Sequence, residues 1–197
     1  MYILGINAYH GDSSACILKD GKMIAATEEE RFRRIKHWAG FPSEAIKFCL
    51  KEAKIEIGDV DYITISRNPS ANLHKKVMHS LKNLVTVKAI KDRLSNSRKV
   101  GSVKTELSKA LGVDEREIKA EVKNIEHHRS HLGSTFFASP FEESAILSID
   151  GFGDFTSTMT AMGKGNQIEV LDTVIYPHSA GIFYTALTQY LGFPNYG

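Results

Sequence analysis

The chain has only two cysteines and one tryptophan in 197 residues, too few thiols for the disulfide framework of a small secreted domain. It has no apolar run near the ~20 residues of a membrane span. Met1-Tyr2-Ile3-Leu4-Gly5-Ile6 also lacks a basic segment ahead of its apolar residues, so neither an anchor nor a signal peptide is expected. Charge of one sign is missing as well. Lys and Arg number 25 against 23 Asp and Glu, a net +2, which gives no general attraction to nucleic acid or to an acidic membrane. What is left, with 42% hydrophobic and 24% charged residues, fits a soluble globular chain. A cytoplasmic address is expected, with Cys16 and Cys49 as buried thiols. The length suits one substantial core, or one complete lobe plus part of another.

One pattern occurs twice. Ile3–Tyr9, the turn His10-Gly11-Asp12, Ser13–Leu18, the turn Lys19-Asp20-Gly21-Lys22 and Met23–Thr27 read as three short strands, the Asp-Gly pair marking a hairpin. Ala145–Asp150, the turn Gly151-Phe152-Gly153-Asp154, Thr156–Met162, the turn Gly163-Lys164-Gly165-Asn166 and Ile168–Tyr176 repeat it. Each copy predicts an antiparallel meander whose first turn sets Gly and Asp before a Ser/Thr-rich strand, where exposed backbone N–H groups admit an anion. A helix follows each. Pro42 and Ser43 open one, with Ala45, Phe48, Cys49 and Ala53 on its apolar face and Gly58 beyond it; Ser179 or Ala180 opens the other, which carries Ile182, Phe183, Ala186, Leu187 and Tyr190 before Gly192. Asp61–Ser66 and Ala120–Ile125 read as further strands. Between them, residues 69–119 read as two or three helices with a basic cluster: His74 to Lys104 holds nine Lys or Arg and one acid, Asp92. In that stretch Leu81, Leu84, Val85, Lys88 and Ala89 keep helical spacing, and Thr105–Leu111 forms a short helix ended by Gly112. Such a cluster suits a solvated helical face or a docking face for an anion, a domain or RNA. RNA is disfavoured because few aromatics are interleaved.

His127 and His131 are four residues apart, one turn of a helix, and can share an ion at ~2.0–2.1 Å; Asp150, at a strand end, adds a carboxylate. Two imidazoles and a carboxylate suit a divalent transition metal and leave coordination positions open, as catalytic sites do. A cap or core role for the histidines is the alternative. His128 occupies the place of the base in a His-Glu-x-x-His protease, which excludes that class. His10, at the first meander turn, fits a general base or a positioner of a hydroxyl, or a turn residue bonded to local backbone. Asp12 and Asp154 fit metal-bound water or a hydroxyl, or Asx-type turn bonds.

Six ordered runs then carry a resemblance that covers nearly the whole chain. They are Leu4-Gly5-Ile6-Asn7-Ala8-Tyr9-His10-Gly11-Asp12-Ser13-Ser14-Ala15, Glu28-Glu29-Glu30-Arg31-Phe32, Glu126-His127-His128-Arg129-Ser130-His131, Ser139-Pro140-Phe141-Glu142-Glu143, Ser148-Ile149-Asp150-Gly151-Phe152-Gly153-Asp154, and the stretch from Gly181-Ile182-Phe183-Tyr184 to Gly192-Phe193. Together they resemble the O-carbamoyltransferases of nodulation-factor and antibiotic biosynthesis. The N-terminal part of that family is similar to the universal tRNA threonylcarbamoyl-transfer protein of the actin/hexokinase-like superfamily. The fold this implies is α/β, with duplicated RNase H-like lobes. The first lobe, residues 1–143 with the helical insertion 69–119, would be complete and the second, 144–197, truncated.

The resemblance further implies a two-stage reaction. Carbamoyl phosphate and ATP give carbamoyl adenylate in a separate C-terminal domain; the actin-like domain then moves the carbamoyl group to the hydroxyl of a small-molecule acceptor and releases AMP. By motif, His127, His131 and Asp150 would hold the metal, Fe(II) by resemblance, with Zn or Mn also compatible, and His10 would assist acceptor deprotonation. Gly151, Gly153 and Asp154 would line the phosphate side, with Asp12 and Ser13 facing them across the cleft. In that family a fourth ligand, an aspartate, lies downstream with the adenosine pocket and the adenylate-forming domain. The chain therefore resembles an N-terminal piece whose partners are the missing second lobe and that domain, and alone it is expected to be inert and to bind metal weakly. The rival readings are a tRNA threonylcarbamoyl-transfer homologue, an actin-like small-molecule kinase, and a non-catalytic half that pairs with a second chain.

Overall fold

The computed structural model describes residues 1–82 and 103–193. It divides into two compact units, Met1–Ser66 with Val85–Asn124, and Arg67–Leu84 with Ile125–Gly197. The division falls between Asn124 and Ile125, so His127 and His131 belong with Asp150.

In the first unit, β1 (Tyr2–Asn7), β2 (Ser14–Lys19) and β3 (Lys22–Glu28) form an antiparallel meander, and β4 (Tyr62–Ile65) and β5 (Glu121–Asn124) add in parallel beyond β1, giving the mixed order β3-β2-β1-β4-β5. Alternation sets the faces: Leu4 and Ile6, Ala15 and Ile17, and Ile63 and Ile65 point into one core. The hairpin turn is Asp20-Gly21, both at positive φ, 49° and 81°, the geometry that an Asp-Gly pair supplies at least cost.

Short helix α1 (Glu30–Arg33) precedes α2 (Ser43–Ala53), which lays Ala45, Ile46, Cys49 and Leu50 against β2 and β3. Helix α2 ends at Lys54 in the left-handed region, its N–H closing on the Leu50 and Lys51 carbonyls. Gly58 lies further on, in a 3-10 turn. The Pro42 ring offers no hydrogen-bond acceptor to cap α2, and the cap comes from elsewhere. Glu29, fully buried, accepts the Ala45 N–H at 2.9 Å with one carboxylate oxygen and pairs with Arg33 Nε at 2.6 Å with the other. That joins the end of β3 to the start of α2. Cys16 and Cys49 are free thiols, and burial, with Cys16 beside it, pushes the Cys49 thiol up to about 12.

Of the 69–119 stretch, α3 (Leu73–Lys82) and α4 (Val103–Leu111) are helical, and Gly112 at φ 71° ends α4. The helical spacing read at Leu84, Val85, Lys88 and Ala89 lies outside the described residues.

The second unit holds a three-stranded antiparallel sheet, β6 (Glu143–Gly153), β7 (Thr156–Lys164) and β8 (Gln167–Ile175). Helix α5 (His127–Phe136) buries His128, Leu132 and Phe136, one per turn, against Ile146, Met159 and Ala161. Helix α6 (Ala180–Tyr190) lies against β6. The expected Gly151–Asp154 turn is corrected here. Gly151, Phe152 and Gly153 continue β6, and the tight turn is Asp154-Phe155, at φ 50° and 75°. Among the described residues, no helix is long and apolar enough to cross a membrane.

Glu29→Ala would leave Arg33 and the α2 N-terminus without their shared partner. A loss of about 3 kcal/mol in unfolding free energy is expected, read from the urea midpoint at unchanged slope; a loss below about 1 kcal/mol would show that the pair does not hold α2.

Candidate metal centre

His127 and His131 stand one helical turn apart on α5, beside the buried stripe of His128, Leu132 and Phe136. Asp150 reaches them from β6. Pairing of β6 with β7 shifts register between Ile149 and Gly153, an irregularity of the kind that re-aims side chains next to functional sites. His127 Nε2 lies 2.8 Å from Asp150 Oδ2, His131 Nε2 lies 3.8 Å from the same oxygen, and the two Nε2 atoms are 3.0 Å apart. Separations of 2.8–3.8 Å bracket the roughly 3.3 Å edge of a tetrahedron with bonds of ~2.0–2.1 Å. Among the described residues these three form the one group of His, Cys, Asp and Glu with metal-ligand spacing. His127 is largely buried, whereas His131 and Asp150 are about half exposed, so the group opens to solvent.

The charges are complementary. Hydrogen bonds from His127 and His131 hold the Asp150 carboxyl well below the usual carboxylate range. The Asp150 hydrogen bond raises the His127 pKa against the opposing effect of burial. A divalent cation would take the place of the proton that these groups now share.

A ring of further contacts fixes the three side chains. Asp154 Oδ2 accepts the backbone N–H groups of Asn68 at 2.7 Å and His127 at 3.0 Å, pinning the first residue of α5. The other Asp150 oxygen accepts the Gly151 N–H at 2.6 Å. His128, fully buried, donates from Nε2 to the Thr156 carbonyl at 3.1 Å and accepts the Ser148 hydroxyl at Nδ1 at 2.8 Å. Burial lowers its pKa, which favours the neutral ring that this pairing requires. Two glycines permit the close approach. A Cβ on Gly153 would sit 2.0–2.6 Å from the His127 side chain, and one on Gly181 would sit 2.5 Å from the Asp150 carbonyl. The Ser179 hydroxyl, which accepts the Ile182 N–H at the start of α6, lies 3.0 and 2.8 Å from the Asp150 and Gly151 carbonyls.

Of the residues read from the sequence, His127, His131, Asp150, Gly151, Gly153 and Asp154 gather in the second unit. There Gly153 makes room for His127, and Asp154 holds the helix start. His10, Asp12 and Ser13 lie in the first unit. Ser13 is fully buried, its hydroxyl 2.8 Å from the Gly40 carbonyl and 3.3 Å from the His10 carbonyl, so it ties the turn together. His10 is half-buried, and Asp12 Oδ1 meets His37 Nδ1 at 3.0 Å. Sequence reasoning missed His128, Ser148 and Gly181. Ser148 was legible in principle, since it sits two residues before Asp150 on the same face of β6.

A family model described as carbamoyltransferase N-terminus matches residues 2–196. The chain is 37% identical to the uncharacterized protein sll1178 of Synechocystis sp., over 98% of this chain and 32% of that one. It is 33% identical to nodulation protein NolNO of Sinorhizobium fredii, over 95% of this chain and 26% of that one. It thus spans about a third or less of the length of these curated relatives. Among solved structures it is similar to YeaZ from Pseudomonas aeruginosa, at 13% identity and a TM-score of 0.41, over 90% of this chain and 68% of that one.

Gly153→Ala must displace the His127 ring or the strand. It is expected to lower stability by about 1–3 kcal/mol and to break the His127–Asp150 hydrogen bond, read from the His127 imidazole 15N shifts; unchanged shifts in a folded variant would refute the packing argument.

Proposed function

The chain belongs to the carbamoyltransferase N-terminus family, and from that premise we propose that it is the acceptor-side portion of an enzyme that transfers a carbamoyl group from carbamoyl adenylate to an acceptor hydroxyl. The observation that carries the metal-assisted form of this reading is the convergence of His127, His131 and Asp150 within 4.8 Å. These are two imidazoles and a carboxylate, fixed from behind by His128, Asp154 and Gly153. Such a donor set suits Fe(II), with Zn or Mn as alternatives. A bound cation would supply Lewis-acid stabilisation of the negative charge that collects on the departing AMP.

The chain's own residues would do the rest. Asp150 and the two histidines hold the cation, and Gly151 lines the phosphate side. The α6 N-terminus beside Asp150, capped by Ser179, presents amide N–H groups that favour an anion nearby. His10 would assist deprotonation of the acceptor. Carbamoyl phosphate and ATP would be joined as the adenylate in a further domain.

The surface of the second unit supports a larger parent protein. Helix α6 buries none of its residues, and Phe183, Tyr184 and Tyr190 are 65%, 62% and 87% exposed, with Leu147 and Ile149 of β6 exposed as well. Apolar surface on this scale marks an interface. Further polypeptide, the remainder of a second lobe and an adenylate-forming domain, would cover it and add ligands to the metal.

The full-length enzyme carrying this domain is expected to convert ATP, carbamoyl phosphate, water and an acceptor hydroxyl to AMP, pyrophosphate, phosphate and a carbamate ester, whereas residues 1–197 alone should be inert. Calorimetry on residues 1–197 should give weak Fe(II) or Zn(II) binding that Asp150→Asn and His131→Ala each weaken by at least about 100-fold. Metal binding indifferent to both substitutions would remove the metal-assisted reading, and transfer by the isolated chain would overturn the need for more polypeptide.

A further inference from the structure

The β6–β7 hairpin turns on two residues poorly suited to it. Gly153 pairs with Thr156 across the turn, and Asp154 and Phe155 between them sit at φ 50° and 75°. A two-residue turn with both residues left-handed is made at least cost by Asn-Gly or Asp-Gly. A phenylalanine at φ 75° is strained, and such a conformation persists only where the surroundings hold it.

What holds it comes from the segment leading into α3, within the same compact unit. The Asn68 N–H bonds to Asp154 Oδ2 at 2.7 Å, and the Ala71 N–H closes a turn on the Asn68 carbonyl at 3.0 Å. Asn72, itself left-handed at φ 55°, then reaches both ends of the hairpin turn. Its Nδ2 lies 3.1 Å from the Asp154 carbonyl and 3.2 Å from Thr156 Oγ1. A carbonyl only accepts, so the atom that faces it is the amide nitrogen, whose two hydrogens serve one partner each. Further along α3, the His79 ring meets the rings of Phe155 and Tyr176 edge-on, at centroid distances of 5.7 and 4.8 Å. The Tyr176 N–H bonds to the Phe155 carbonyl at 3.1 Å.

The turn matters because two anchors of α5 flank it. Asp154 Oδ2 accepts the His127 N–H at 3.0 Å, and the Thr156 carbonyl lies 3.1 Å from His128 Nε2. A relaxed turn would move the carboxylate and the carbonyl relative to each other, and α5 would lose its height and rotation. His127 and His131 would then cease to converge on Asp150.

We propose that Asn72 is a positioning residue of the metal centre: by tying Asp154 to Thr156 it fixes the anchors of α5 and so the approach of His127 and His131 to Asp150. This rests on the metal-assisted reading above. Asn72 acts through Asp154 and Thr156 and supplies no ligand of its own.

Asn72 also stands where an asparagine caps a helix, its carbonyl accepting the Lys76 N–H at 3.0 Å, and aspartate would serve a cap equally well. Asn72→Asp keeps the size and the tolerance of the left-handed region but has no donor for the Asp154 carbonyl. Asn72→Gly keeps the backbone freedom and removes the side chain. Titrated with Zn(II) alone, in residues 1–197 and in the full-length enzyme, both variants should bind about 10–100-fold more weakly than the wild type. The added charge of Asn72→Asp would by itself favour a cation, so a loss there is a loss of geometry. In metal-free residues 1–197 the His127 amide proton should shift upfield in both variants as its bond to Asp154 weakens.

A wild type that takes up no Zn(II) in either form sinks the metal centre and this proposal together. Uptake by the wild type that Asn72→Asp leaves unchanged sinks the proposal alone and marks Asn72 as a cap of α3. Two checks hold even if the Asn72 variants fail to fold. In wild-type residues 1–197, NOEs from the Asn72 side-chain amide to the Thr156 methyl are expected, and their absence overturns the proposal. Thr156→Val, which removes only the second acceptor, should weaken Zn(II) binding roughly 5-fold, and an unchanged affinity overturns it equally.

Discussion

The seating of α5 on β6 is the constraint on which the geometry of the candidate metal centre depends. His127 and His131 can face Asp150 only if the helix is held in rotation and in height, and one buried side chain does both. His128 joins the Ser148 hydroxyl on β6 to the Thr156 carbonyl on β7, so any roll of the helix would break two buried hydrogen bonds at once. Buried polar groups without partners are costly, which turns His128 from a liability into a lock. Leu132 and Phe136 extend the contact along the same stripe, and Asp154 fixes the end by accepting the His127 N–H.

The same logic places Asp150. A strand in perfect register would present its side chains at regular intervals, but β6 slips against β7 between Ile149 and Gly153. The slipped residues include both glycines of the run, and one of them, Gly153, has no side chain where the His127 ring must lie. Gly181 allows the α6 N-terminus an equally close approach to the Asp150 backbone. The candidate ligands and the small residues thus form one packing problem, which explains why the His127–His131–Asp150 group and a glycine-rich run sit so close together.

The first unit is also organised by buried polar residues. Ser13 and Glu29 are both fully buried. Ser13 links the His10 turn to Gly40, and Glu29 links the end of β3 to the start of α2 and to Arg33, whose guanidinium lies 4.5 Å from the Trp38 ring centroid. Asp12 and His37 rest on that frame. The Tyr9 and Ser13 N–H groups bond to the Gly40 and Trp38 carbonyls, which ties the turn that carries Asp12 to the segment that follows His37.

The sequence by itself determined the two meanders, the helix after each, and the residue types able to bind a divalent metal. Those are local properties: alternation fixes strand faces, an Asp-Gly pair fixes a hairpin, and a four-residue spacing fixes two histidines on one turn. Family membership was legible too, because six ordered runs carry it. Only the tertiary structure decided that the Gly151–Gly153 segment is strand, that the turn is Asp154-Phe155, and that Asp154 caps a helix. It alone paired Asp12 with His37, residues 25 apart in sequence. These outcomes depend on which backbone amide or ring arrives opposite a given side chain, and that is set by packing between segments distant in the chain.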